Sequence, residues 1–377
     1  MSHQLQVSKD RLDRTLGILR HALDRRVTLP ILQHVLLDVR AKEMLLKATD
    51  MELAFEASLP VEGQGQWTMA VPGKKFIETV KVFPDGVLTL ECPEGTGRLW
   101  LRAKGMNSEH NIQPGEGFPE LPAPGQELPV VKIPILRFKR AIQLGSIAVS
   151  KDATKPTLSA VLVHLSKHHV RVVSTDGFRL AVAEVPCDTG LKDEVRLIVP
   201  RRALDLIPTL LGDEGEVALC WDGTTLFLDQ PGLKFSTRLV TGNYPAYEKV
   251  LPAELPKRVI LDRDEFLRTL RFVGLKKDDY NKNVRLFFEF PNLRTVFQHP
   301  DEGVNQATLP FSGEEQPFEL AFNIDYLVEL LERLPGEEVL YQFKDEVGQG
   351  VFMSPSLEDF SFRYVLMPVR FASPASV

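Results

Sequence analysis

The feature that most constrains this 377-residue chain is that it repeats itself. Thr49-Asp50 is answered by Thr175-Asp176 and Leu29-Pro30-Ile31-Leu32 by Lys155-Pro156-Thr157-Leu158, both at a shift of 126. Val71-Pro72-Gly73-Lys74 returns as Val199-Pro200-Arg201-Arg202 at 128, and Gly117-Phe118-Pro119 as Asn243-Tyr244-Pro245 at 126. Leu366-Met367-Pro368 follows about 123 further on. Three copies of about 126 residues therefore fill the chain, and any fold it adopts must be built three times. A single compact core is excluded, because cores stop growing at domain sizes well below this length.

Each copy opens with helical spacing. Leu12, Leu16, Leu19 and Leu23 form one apolar stripe, Ile135, Phe138, Ile142 and Val149 a second, and Phe266, Leu270 and Val273 a third. A second helix per copy is marked by Phe76, Val80 and Phe83, by Leu204, Ile207 and Leu211, and by Ile324, Leu327, Leu331 and Leu334. Pro72 and Pro200 stand where a helix begins, a position that tolerates the missing N–H. Between the six helices lie short β-rich runs closed by turn residues: 35–39, 44–48, 87–92, 161–165, 170–174, 217–220, 225–228, 286–290 and 339–343. Segments 119–134 and 252–261, where Pro, Gly and Glu cluster, read as linkers. The expected fold class is α+β: three domains, 1–124, 125–254 and 255–377, each an antiparallel sheet with two helices.

Charge is sorted by element type. The helical windows 9–26, 73–83, 134–151, 200–211, 262–277 and 323–334 carry 21 Lys and Arg against 11 Asp and Glu, or +10. The whole chain carries −6, so strands and loops hold the remaining −16. For one helix such sorting is an ordinary solvated face. Over six it describes a basic layer able to hold a polyanion, backed by an acidic layer that repels it. If helices about 10 Å across line a circle, six enclose a bore of only about 9 Å and twelve one of about 28 Å. B-form DNA, about 20 Å wide, needs the larger circle, hence two chains.

The three cysteines, Cys92, Cys187 and Cys220, stand far apart, so neither a disulfide framework nor a cysteine zinc site is expected. The opening residues lack a basic-then-apolar leader, and no apolar run approaches the ~20 residues of a membrane span, so a cytoplasmic location and no membrane partner are expected. His164, His168 and His169 crowd one stretch without metal-site spacing. Gly73-Lys74 lacks the rest of a phosphate loop, and Thr175-Asp176-Gly177 reads as a turn between strands before it reads as a catalytic site. The expectation is a protein that is not an enzyme, with no cofactor and no metal. An enzyme using Thr175, Asp176 and Arg179, and a repeat scaffold that binds peptides without enclosing DNA, are the alternatives.

Six ordered motifs, namely Thr28-Leu29-Pro30-Ile31-Leu32, Thr175-Asp176-Gly177-Phe178-Arg179-Leu180-Ala181, Val199-Pro200-Arg201, Tyr244-Pro245 through Val250-Leu251-Pro252, Phe322-Asn323 with Tyr326, and Val365-Leu366-Met367-Pro368-Val369-Arg370, give the chain a resemblance over its whole length to the bacterial sliding clamps, the DNA polymerase III beta subunits. The resemblance implies a clamp fold of three domains, paired head to tail as a homodimer into a six-domain ring around duplex DNA. It implies tethering of the polymerase III catalytic subunit, a clamp loader that opens the ring, and other polymerases, mismatch repair proteins and ligase held through short peptides. It places a peptide pocket at Leu158, Thr175, Gly177, Phe178, Arg179, Leu180, Pro245, Lys249, Val250, Asn323, Tyr326, Leu366, Met367, Pro368, Val369 and Arg370. There Leu, Val, Met and Pro would form an apolar socket, and Arg and Asn would fix the peptide backbone. Arg179→Ala is accordingly expected to weaken partner binding without unfolding the ring. Arg26, Lys74, Lys151, Lys155 and Arg201 would face DNA phosphates, and Ser108, His110, Phe272 and Leu275 the dimer seam.

Three departures from that family stand out. Pro156-Thr157 replaces an aromatic pair, which weakens base stacking by that loop. The seam strand 106–113 is polar, and His110 there would add a pH response. The chain also continues past Arg370 as Phe371-Ala372-Ser373-Pro374-Ala375-Ser376-Val377, expected as a frayed tail near the pocket mouth.

Overall fold

In the computed structural model of the chain, residues 2–23, 29–357 and 360–370 are described. Six α-helices occur among them: α1 (Lys9–Leu23), α2 (Gly73–Val82), α3 (Ile135–Gly145), α4 (Arg201–Leu210), α5 (Arg263–Val273) and α6 (Ile324–Arg333). Their apolar stripes face inward, with Leu12, Leu16, Leu19, Phe76, Phe138, Phe266, Leu270 and Leu327 without solvent contact. Only α3 departs much from its window. It ends at Gly145, so Val149 lies beyond the helix; glycine is required there because a β-carbon would stand 2.4 Å from the carbonyl oxygen of Val172.

The chain divides into two compact units, Met1–Pro134 with Thr209–Leu239, and Ile135–Pro208 with Val240–Val377. The first holds a five-stranded sheet, ordered Glu62–Gln64, Ser2–Ser8, Val87–Pro93, Arg98–Ala103, Met106–Asn111. It also holds a nine-stranded sheet, ordered Gln113–Pro114, Trp67–Pro72, His34–Arg40, Glu43–Thr49, Leu53–Pro60, Leu233–Arg238, Thr225–Gln230, Glu216–Trp221, Val130–Pro134.

The second unit repeats the plan. Its nine-stranded sheet runs Val195–Pro200, Ala160–Ser166, His169–Thr175, Arg179–Pro186, Ser361–Leu366, Gly350–Met353, Glu338–Phe343, Lys257–Asp262, Ser312–Gly313. A four-stranded sheet adds Gly303–Pro310, Asn292–His299, Asn283–Glu289 and Phe318–Asn323. Every strand pair among the described residues is antiparallel, as the short alternating runs require, and neighbouring repeats share a sheet where two of their edge strands meet. That sharing is why the compact units do not coincide with the sequence repeats.

The nine strand runs read from sequence all occur, although Phe290 falls just past the end of its strand. Both linkers are shorter than expected, since 130–134 is the edge strand of one long sheet and 257–262 a strand near the edge of the other.

Candidate functional site

The site is built on the Thr175–Arg179 hairpin of the second unit. Thr175 Oγ1 donates to the Arg179 carbonyl at 2.7 Å and accepts from the Gly177 N–H at 3.1 Å. Asp176 Oδ1 accepts the N–H groups of Phe178 and Arg179 at 3.0 and 3.1 Å. This is the local hydrogen bonding that makes Thr and Asp turn residues. Gly177 sits at φ +96, where a β-carbon is strained. The turn thrusts Phe178 outward, 67% exposed.

The C-terminal segment closes the site. Strand Ser361–Leu366 pairs with Arg179–Pro186, Met367 N donates to the Phe178 carbonyl at 3.2 Å, and Val369 N donates to the Ala321 carbonyl at 2.7 Å. Met367 is thereby held at the rim, 43% exposed. Val250, equally exposed, comes from the segment that carries Pro245 and Lys249, and the Gln349 side chain grips that segment at the Val250 carbonyl, 2.9 Å away. Gly177, Pro245, Lys249 and Arg370 are exposed, while Leu158, Thr175, Asn323, Tyr326, Pro368 and Val369 are half-buried. Leu180 and Leu366 are fully buried and form the floor beneath the rim.

Two expected roles are corrected. Arg179 is buried, and its guanidinium is already committed. Nε donates to Asp176 at 3.0 Å, Nη1 donates to Glu329 at 2.6 Å and to the Tyr364 hydroxyl at 3.2 Å, and the group lies 4.0 Å above the Tyr326 ring. Burial works against the charge, yet Tyr364 and Glu329 raise its pKa above the ordinary arginine value. The side chain locks the rim together through Nε and Nη1. Asn323 likewise caps α6, its Oδ1 accepting from Asp325 N at 3.0 Å. Glu329 and Tyr364 escaped the sequence reading because neither stands in a motif; both are reached only through the folded path of the chain.

His164 is also claimed by structure. It is 1% exposed, with Nδ1 2.8 Å from the Tyr247 hydroxyl and Nε2 3.1 Å from Glu194. Tyr247 pins the Pro245–Val250 segment to the sheet, so this buried contact sets one wall of the site. Burial, aided by Arg196, lowers the His164 pKa despite Glu194 and Glu248, so the ring is neutral.

Of the positions expected to face DNA, Lys74 is exposed at the start of α2. Lys151 is exposed beyond α3, 3.8 Å from Glu329, and Lys155 is exposed 3.9 Å from Asp152. Arg201 opens α4 and pairs with Asp205 at 3.3 Å; Arg26 lies outside the described residues, as does the tail 371–377. At the expected seam, Met106–Asn111 is the edge of the five-stranded sheet, and Ser108 is half-buried. His110 is corrected: its ring points inward, 8% exposed, with Phe76 edge-on at 5.7 Å, so its side chain cannot form the seam. In the second unit Phe272 and Leu275 are 50% and 74% exposed beside the free edge strand Gly303–Pro310. The Asn305 side chain reaches the Phe272 carbonyl there at 3.3 Å.

Repeated pairs of helices on shared antiparallel sheets, with a pinned hairpin rim, define the DNA clamp class of fold. Comparison with known proteins narrows it. Profiles of the N-terminal, central and C-terminal domains of the DNA polymerase III beta subunit match residues 3–122, 132–246 and 248–370. The beta sliding clamp of Pseudomonas putida is 25% identical over 366 residues, 97% of this chain and 99% of that protein. A Bartonella birtlesii sliding clamp solved with griselimycin is 26% identical with a TM-score of 0.89, covering 98% of this chain and all of that one. A Pseudomonas aeruginosa clamp solved with the same ligand shares the fold at a TM-score of 0.92 and 23% identity, over 98% of this chain and all of that one. The chain belongs to the DNA polymerase III beta-subunit family, the sliding clamps, which are non-catalytic processivity subunits. Among the described residues no helix is long and apolar enough to cross a membrane.

Proposed function

We propose that two copies of this chain close head to tail into a ring that slides on duplex DNA and tethers replication and repair proteins. The observation that carries this reading is the in-order tiling of three beta-subunit domain profiles from residue 3 to residue 370. The same tiling supports domains of 1–124, 125–254 and 255–377. Partners dock as short peptides on the rim formed by Phe178, Met367, Val250 and Tyr326 above the Leu180 and Leu366 floor. Exposed flexible Met and aromatic side chains suit a surface that takes several sequences. The polymerase III catalytic subunit, a clamp loader, other polymerases, mismatch repair proteins and ligase are the partners this reading names. Tethering acts through effective concentration, since a polymerase that releases its primer end stays near it.

Lys74, Lys151, Lys155, Arg201 and Arg26 contribute phosphate contacts without sequence preference. The seam joins the Met106–Asn111 edge of one chain to the Gly303–Pro310 edge of its partner, with Phe272 and Leu275 packing beside it. The test is loading on nicked circular DNA followed by a high-salt wash. A ring stays on the circle and leaves when the DNA is linearised; loss from the circle at the salt that strips open-groove binding would refute enclosure.

A further inference from the structure

The first unit carries a counterpart of the second-unit rim in which the space behind it is left open. The hairpin Thr49–Leu53 repeats the four hydrogen bonds that the Thr175 hydroxyl and Asp176 Oδ1 make in Thr175–Arg179. Thr49 Oγ1 donates to the Leu53 carbonyl at 2.8 Å and accepts from Met51 N at 3.0 Å, and Asp50 Oδ1 accepts from Glu52 N and Leu53 N at 3.0 and 2.8 Å. The strand pairing repeats too. Leu53 faces Thr237 as Arg179 faces Leu366, and Arg238 N donates to the Glu52 carbonyl as Met367 N does to that of Phe178.

The side chains on the shared face differ. In the second unit Val173, Leu180, Val182 and Val365 form a filled core, and the segment after Tyr244 lays Tyr247 and Leu251 over it. The register places Lys47, Ala54, Glu56 and Ser236 at the four strand positions in the first unit, and the repeat places Leu121 at that of Tyr247. Lys47 and Glu56 are longer than the valines they replace, but the smaller Ala54 and Ser236 help leave a cavity of about 650 Å³, also lined by Cys220, Leu121, Pro122 and Leu128. That is within the ~300–1,000 Å³ range of ligand sites. Lys47 and Lys234 flank Glu56 at 3.0 and 3.4 Å along one side, so these charges are engaged with one another and the floor selects by apolar shape. Met51 lines a small adjoining pocket that shares Ala54, Glu120, Pro122 and Ser236 with the cavity; it is held at φ +73, where the second unit has glycine, and is 55% exposed. A strained residue that presents a flexible apolar side chain to solvent marks a surface kept for contact.

We propose that this groove is a second peptide-binding site, taking a short extended segment of a partner protein through a tyrosine or leucine side chain. The molecule itself supplies the argument for the occupant: Tyr247 and Leu251, which cover the core of the second unit, have Leu121 and Gly125 at the matching positions of the first, so the volume left open is that of a leucine side chain and part of an aromatic ring. The choice of a peptide rests on the reading of the Phe178–Met367 rim as a peptide site.

The test photo-crosslinks the full-length chain with a pool of short benzophenone-bearing peptides of Leu, Tyr, Phe, Ser and Gln, and maps adducts by mass spectrometry. Adducts are expected in two sets, one on segments 119–130 and 216–238 and one on the rim. Ala54→Leu with Ser236→Val, which restores the second unit's side chains, should lower the first set at least tenfold and leave the second unchanged. Met367→Ala should do the reverse. Rim adducts without groove adducts would overturn this inference alone. Groove adducts without rim adducts would sustain it and remove the rim reading, and adducts at neither would remove both. Groove adducts that persist in a folded Ala54→Leu, Ser236→Val protein, verified by circular dichroism, would also overturn it.

Discussion

Arg179 shows how a residue read as ligand-facing becomes structural once its neighbours are known. Its guanidinium is buried among Asp176, Glu329 and Tyr364 and stacked on Tyr326, so Arg179→Ala strands two carboxylates beside a truncated cavity. Breaking a buried ion pair from one side costs about 3 kcal/mol, and urea unfolding should register a loss of that size. Arg179→Lys should recover little, because an ammonium cannot bond both acids while stacking on the ring. The expectation of weakened binding without loss of stability is therefore revised: stability falls with it. His164 makes the second residue-scale prediction. Its folded pKa lies below the usual 6.5, so the unfolded chain binds the proton more readily. The stability gained by keeping the ring neutral is fully present above about pH 6.5 and is lost as pH falls below it, towards the folded value. His164→Gln should flatten the pH dependence of stability below about pH 6.5; an unchanged slope would remove His164 as its source.

At the scale of elements, the second-unit helices are set by their caps. Asp262 accepts from Glu265 N at 2.7 Å and Asn323 from Asp325 N at 3.0 Å. Alanine at either position should cost about 1 kcal/mol, while Asn323→Asp should hold stability close to the parent, read by thermal unfolding. The two free sheet edges matter for assembly. Leu275 is 74% exposed beside the Gly303–Pro310 edge, so Leu275→Asp should leave the fold intact but raise the concentration below which the dimer dissociates. A tenfold weakening, about 1.4 kcal/mol, is the expected size by light scattering across a dilution series. Unchanged mass at every dilution would move the seam elsewhere. The inward turn of His110 removes it as the pH sensor of that seam.

On the scale of the whole molecule, the ring requires two 42.4 kDa chains, and a mass of twice that value in solution is the first quantity to measure. Enclosure, unlike groove binding, should resist salt on circular DNA and fail on linear DNA. The threefold repeat, six helices, nine of the strands and the turn at Asp176-Gly177 were legible in the sequence, because local periodicity and turn chemistry depend only on neighbours along the chain. Charge sorting was legible as well, being a sum over residue types. The shared nine-stranded sheets were not legible: they pair Leu53–Pro60 with Leu233–Arg238 and Arg179–Pro186 with Ser361–Leu366, edges separated by more than 100 residues and specified by backbone geometry rather than by motif. The direction of individual side chains was hidden for the same reason. Sequence placed Arg179 and His110 in the right neighbourhoods; only folding, by bringing Glu329 and Phe76 against them, decided that Arg179 is tied to the protein's own acids and that His110 turns inward. The open groove over Ala54 and Ser236 was likewise a tertiary outcome, since small side chains there make a cavity only when their strands lie side by side under Leu121.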